Sequence, residues 1–111
     1  MTDERPLTES QLLARILIAL GGRPEVRLWR AQPLVTADRS GRMMRALPKG
    51  HPDLCGFLRP SGRMVMLEVK SAKGRLSPEQ RAWAAVLTAG GVCYAVVRSL
   101  DDVAKALGLK L

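Results

Sequence analysis

The stretch Met64-Val-Met-Leu-Glu-Val-Lys-Ser-Ala-Lys-Gly-Arg-Leu-Ser-Pro-Glu-Gln80 decides how this chain is read. Its first half is an apolar strand, read from Met64 to Ser71, and alternate side chains of a strand share a face. Met64, Met66, Glu68 and Lys70 therefore point one way, and Val65, Leu67 and Val69 the other. A run of Met, Val and Leu has no packing use for a carboxylate and an ammonium group two residues apart. A basic, glycine-broken turn follows, and Ser77-Pro78-Glu79-Gln80 then opens a helix. Ser77 is the expected cap, Pro78 the first helical residue, and Gln80 stands at the capping-box position.

Working outward, Asp53 to Leu58 reads as a second apolar strand, turned at Arg59-Pro60-Ser61-Gly62 into the strand of Glu68. The two are expected to pair as an antiparallel hairpin, which brings Asp53 to the Glu68 end. Two carboxylates and one ammonium group then converge where the sheet splays. That set suits a hard divalent cation, which takes oxygen ligands and keeps several waters. Such a cation lowers the pKa of a water and neutralises phosphate charge, while Lys70 steadies the nucleophile or a phosphoryl oxygen.

Upstream, Thr8 and Gln11 form a capping-box pair, flanked by Leu7 and Leu12 as a hydrophobic staple. Leu12, Leu13, Ile16, Leu17 and Leu20 recur at helical spacing until Gly21-Gly22. Glu9 projects from the first turn of that apolar face. Val26 to Gln32 reads as a strand, inside a region running from Arg23 to Lys49 that holds seven basic residues and two acidic ones, Glu25 and Asp38. Gly41 and Pro48-Lys49-Gly50 break this region into irregular strands and loops. Downstream, Gly90-Gly91 ends the second helix, Val92 to Val97 is a strand, and Ser99 to Leu107 is a short helix.

The chain has 111 residues, enough for a single domain spanning 1–111, and 47% of them are hydrophobic, so it should fold. Eighteen Lys and Arg against ten Asp and Glu leave a net charge of +8, which points to a polyanionic partner. Cys55 and Cys93 lie in apolar runs without metal-ligand spacing and are expected as buried free thiols in a reducing compartment. The polar, acidic opening MTDERPLTES is unlike a secretory signal. No apolar run approaches the roughly 20 residues of a membrane span, so a cytoplasmic protein is expected.

Gly50-His51-Pro52-Asp53 followed by Glu68-Val69-Lys70 resembles the PD-(D/E)XK nuclease signature. Gly74-Arg75-Leu76-Ser77-Pro78-Glu79-Gln80 and the later Gly90-Gly91-Val92-Cys93-Tyr94-Ala95-Val96-Val97-Arg98-Ser99 are similar to its VRR-NUC branch. An E-x-K triplet alone is common, whereas this ordered set, running from about Thr8 to Leu107, is far more specific. The resemblance implies an α/β restriction-endonuclease-like core, a mixed four-stranded sheet with its main strands antiparallel, flanked by helices. It implies Asp53 and Glu68 as metal ligands joined by the Val69 carbonyl and by Glu9 from the first helix. Lys70 is then the catalytic lysine, and Gln80 helps to orient the site.

The implied reaction is Mg²⁺-dependent phosphodiester hydrolysis, with Mn²⁺ as an alternative metal, on branched or double-stranded DNA such as Holliday junctions. One active site per chain, and two strands to cut symmetrically, ask for a homodimer. Arg39, Arg42, Arg45 and Lys49, with Lys73 and Arg75 in the basic turn, are the candidates for phosphate contact. A flap or single-strand exonuclease with the same site, and a non-catalytic basic nucleic-acid-binding domain, stay open. So do plainer roles: Glu68 and Lys70 as a solvated edge-strand pair, Asp53 as a turn former, Gln80 as a cap alone, His51 as an exposed loop residue, and the arginines as solubilising charge.

Overall fold

In the computed structural model, residues 5–31, 35–45 and 47–111 are described. The order of elements is α1 (Glu9–Leu20), β1 (Val26–Arg30), β2 (Val35–Ala37), β3 (Met43–Arg45), β4 (Leu54–Leu58), β5 (Met64–Val69), α2 (Pro78–Ala89), β6 (Cys93–Val97) and α3 (Leu100–Leu107). Both expected capping boxes form. Thr8 Oγ1 accepts from the Gln11 N–H at 3.1 Å while Gln11 Oε1 accepts from the Thr8 N–H at 3.0 Å. Ser77 and Gln80 repeat the exchange at 3.1 and 2.8 Å. Each box satisfies backbone donors that a helix start leaves without intrahelical partners.

The main sheet runs β1-β4-β5-β6. β4 is antiparallel to both β1 and β5, whereas β5 and β6 are parallel, so the sheet is mixed. The parallel pair follows from the connection: α2 carries the chain back across the sheet before β6 begins. β5 is thereby an interior strand, which excludes a solvated edge-strand pair at Glu68 and Lys70. β2 and β3 form a separate two-stranded antiparallel hairpin, with Val35 opposite Arg45 and Ala37 opposite Met43.

The strand alternation sorts the core into two layers. Val65, Leu67 and Val69 face Leu12, Ile16, Leu20, Val103 and Leu107 of α1 and α3. Met66 faces the other way, with Cys55 and with Leu87 and Trp83 of α2. Two strands are shorter than expected: β1 ends at Arg30 and β5 at Val69, two residues before Ser71, while Gln32 lies outside the described residues. Both thiols are free, but Cys93 is only half-buried, its Sγ 3.4 Å from the Ala106 carbonyl. Among the described residues no helix is long and apolar enough to cross a membrane.

Candidate active site

The site begins where the β4–β5 ladder fails. Leu54 pairs with Leu67, so the register carried two residues further sets Pro52 opposite Val69. Proline has no N–H to donate, and the ladder cannot continue through it. The Val69 N–H goes instead to Asp53 Oδ2 at 2.8 Å. On its other flank, the Asp53 carbonyl accepts from the Ala31 N–H at 2.9 Å. Asp53 is thus fixed in the fork between β4 and β5 by the backbone of both neighbouring strands.

Glu68 and Lys70 stand on one face of β5 at the same end, as the alternation predicts. Glu68 is 2% exposed and Lys70 9%. Lys70 Nζ lies 4.0 Å from Glu68 Oε1 and 4.0 Å from Glu9 Oε1, so one ammonium serves carboxylates from the sheet and from α1. Gln80 Nε2 donates to Glu68 Oε1 at 3.0 Å. Gln80 therefore both caps α2 and holds Glu68, one end of its amide for each.

Burial, and after it the charge and a shared hydrogen bond with Asp53, push the Glu68 carboxyl up to about 8, against the pull of Lys70. Two carboxylates forced together in a dry fork are costly unless a cation or a proton joins them. This strain is the observation that fits a divalent ion. Mg²⁺ is bound by one or two carboxylates and keeps the rest of its shell as water. Asp53, Glu68 and the Val69 carbonyl would hold it.

Among the described residues, no three His, Cys, Asp or Glu side chains gather closely enough to hold a metal by themselves. Glu9 reaches the rim and pairs with Lys70. It also lines a cavity of about 110 Å³ with Ser10, Leu13, Arg30, Asp53 and Val69. Arg30 had no place among the sequence-derived site residues except as one of a basic run. The signal was the alternation Val26, Leu28, Arg30, which sets an arginine in the row that faces the core.

The loops on either side of the fork are tied down. Arg98 Nη1 donates to the carbonyls of Ser71 and Gly74 at 2.6 and 2.7 Å, clasping the turn that follows Lys70. A Cβ at Gly74 would lie 3.1 Å from Ser71 Oγ and 3.3 Å from Glu9 Oε1, close enough that those side chains would have to shift by a few tenths of an ångström. Arg98 stands in the closing motif that carries the family resemblance, but its role was not legible there, because it recognises backbone carbonyls and not a side-chain partner. Before Asp53, the turn at Gly50 (φ 85°) packs on the backbone of Glu79, where a Cβ would sit 2.6 Å from a carbonyl carbon. His51 is not the exposed loop residue expected. It is half-buried, its ring packed edge-on against Trp83 at 5.1 Å.

The phosphate-contact candidates separate into three groups. Lys73 and Arg75 are exposed on the turn beside Lys70. Lys49 is exposed but paired with Glu79 at 3.4 Å. Arg39 and Arg42 are exposed on the turn of the β2–β3 hairpin, and Arg45 ends β3, its side chain outside the described residues.

A comparison with known families agrees with this geometry: the family model described as the VRR-NUC domain matches residues 34–101, more than half of the chain. The match holds Asp53, Glu68, Lys70, Gln80 and Arg98 and leaves out α1 and β1. No curated protein matches the chain, and no solved structure does.

Proposed function

The chain belongs to the VRR-NUC family, a branch of the PD-(D/E)XK nucleases, and from that premise we propose that it is a Mg²⁺-dependent, structure-specific DNA endonuclease acting on branched DNA such as Holliday junctions. Residues 1–111 act as one nuclease domain, and the active form is a homodimer. The observation that carries this reading is the convergence of Asp53, Glu68 and Lys70 at the β4–β5 fork. A non-catalytic DNA-binding domain has no use for a buried and a half-buried carboxylate facing a phosphate.

The reaction adds the oxygen of a water to phosphorus and breaks one phosphorus–oxygen ester bond. A water proton is released, and the departing oxygen takes up a proton. Asp53, Glu68 and the Val69 carbonyl would hold a divalent ion, which when bound would supply Lewis-acid charge to ease deprotonation of water and offset charge on the phosphate. Lys70 Nζ points its N–H groups at the attacking water or a phosphoryl oxygen. Glu9 orients Lys70 across the cleft, and Gln80 keeps the Glu68 carboxylate turned inward. The exposed Lys73 and Arg75 track the DNA backbone beside the cut.

The test is cleavage of four-way junction, flap, single-stranded and duplex DNA with and without Mg²⁺ or Mn²⁺. Asp53→Ala and Glu68→Ala should each lower turnover by about a hundredfold or more, while DNA binding holds or tightens because negative charge has been removed. Lys70→Ala should lose turnover with metal titration unchanged, since an ammonium group cannot ligate a cation. Wild-type turnover in Asp53→Ala or Glu68→Ala would remove the reading. Cleavage confined to flaps or single strands would move it to the exonuclease class.

A further inference from the structure

We propose that Arg30 is a further catalytic residue, whose guanidinium holds a non-bridging oxygen of the phosphate being cut. The proposal rests on the nuclease reading above. Along β1 the side chains of Val26 and Leu28 pack into the α1 layer, Val26 being 2% exposed. Arg30 is the next residue in that row, opposite the fully buried Leu54. Unlike the buried carboxylate of β5, Arg30 is exposed: the row leaves the core at this residue.

Its position explains it. The row passes the end of α1, and Arg30 emerges at the small cavity that Glu9, Asp53 and Val69 also line. Two of those neighbours are carboxylates, yet among the described residues the Arg30 guanidinium makes no hydrogen bond or ion pair. A free guanidinium on the rim of an acidic site offers its five donors to something outside the chain. A tetrahedral anion fits that fork of N–H groups better than any single carboxylate present.

The order across the sheet adds a second argument. From β1 to β5 the groups at this end run Arg30, Asp53, Glu68 and Lys70, so the carboxylate pair has one cation beyond it on each side. A phosphate seated over the cavity meets Lys70 on one flank and Arg30 on the other. As water adds to phosphorus, negative charge grows on the non-bridging oxygens, and a guanidinium beside them is worth most at that moment. Arg30 lies outside the stretch that the family model matches.

The experiment is single-turnover cleavage at saturating protein by wild type, Arg30→Ala and Arg30→Lys, on the DNA structure that the wild type cuts. Affinity for the same DNA is measured with Ca²⁺ in place of Mg²⁺, and folding by thermal unfolding. The expected result is a rate lowered about a hundredfold in Arg30→Ala, a much smaller loss of affinity, and an unchanged unfolding midpoint. Arg30→Lys keeps the charge but not the fork and should recover part of the rate. A neutral methylphosphonate at the cleaved position should erase the difference between wild type and Arg30→Ala in a double-substitution cycle. Arg30→Ala cleaving at the wild-type rate, or losing affinity alone, would overturn the catalytic role while leaving the nuclease assignment intact. A wild type inert on every DNA tested would take both down together.

Discussion

Gln80 spends one amide on two tasks, and the tasks can be separated. Its Oε1 closes the capping box with Ser77 and its Nε2 holds Glu68. Ser77→Ala removes a cap worth about 1 kcal/mol and leaves the contact to Glu68, so turnover should persist in a less stable protein. Gln80→Ala should destabilise similarly and also lower turnover roughly tenfold, the equivalent of one charged hydrogen bond of about 1.5 kcal/mol. Denaturant unfolding and cleavage rates on the two variants decide the matter, and equal turnover in both would reduce Gln80 to a cap. The two capping boxes and the same-face placement of Glu68 and Lys70 were legible in the sequence because each follows from spacing along one element. The ligature between Gln80 and Glu68 was not, since it depends on how α2 lies over the sheet.

The β2–β3 hairpin is an element that its own core cannot explain. Its three-residue strands expose Val35, Met43 and Met44, and a two-stranded ribbon is marginal in water without further packing. Asp38 organises its turn, accepting from the N–H groups of Ser40 and Arg42 at 2.9 Å each and from the Ser40 hydroxyl at 2.6 Å. These bonds, the Ser40 hydroxyl first, hold the Asp38 carboxyl below the usual carboxylate range. The turn is therefore best ordered above the ordinary aspartate pKa and loosens as pH falls through the lowered one. It presents Arg39 and Arg42 outward. If these and Arg45 meet phosphates, replacing all three by Ala should weaken binding and flatten the plot of log affinity against log salt by about 0.9 per lost contact. An unchanged slope in a salt titration would leave them as solubilising charge. The sequence marked the basic region and its glycines, but where the hairpin lies was not legible, because no buried face fixes it.

For the whole molecule, the open question in the sequence was how one active site serves two strands. The register supplies a surface. Trp29 lies opposite Cys55, Phe57 opposite Met64, and the Trp29 and Phe57 rings meet edge-on at 6.3 Å. All three of Trp29, Phe57 and Met64 are exposed, on the sheet face that α2 covers only near Met66 and Leu87. Adjoining apolar side chains of this size commonly mark an interface, and a second copy of the chain would give the two-fold pair of sites that symmetric cutting needs. Trp29→Asp should then shift sedimentation from dimer to monomer and convert paired cuts into single nicks. A wild type that sediments as a monomer while still making paired cuts would remove the dimer. The mixed sheet was legible from the order of elements, but this patch needed the pairing register, which composition does not carry.

The neighbours of β5 differ in how far away they lie along the chain, and this sets a timetable for assembly. Phe57 meets Met64 across a short turn, whereas Val65 meets Cys93 only after all of α2 has been traversed. Closing the shorter loop costs less entropy, and hairpins form in about 1–10 μs. The β4–β5 hairpin should therefore gain amide protection first in a refolding pulse-labelling experiment, and β6 should follow. Simultaneous protection of β4, β5 and β6 would refute that sequence of events. Asp53, Glu68 and Lys70 all belong to that earliest unit or its edges, so the carboxylate fork is drawn together before the sheet that will shield it is complete.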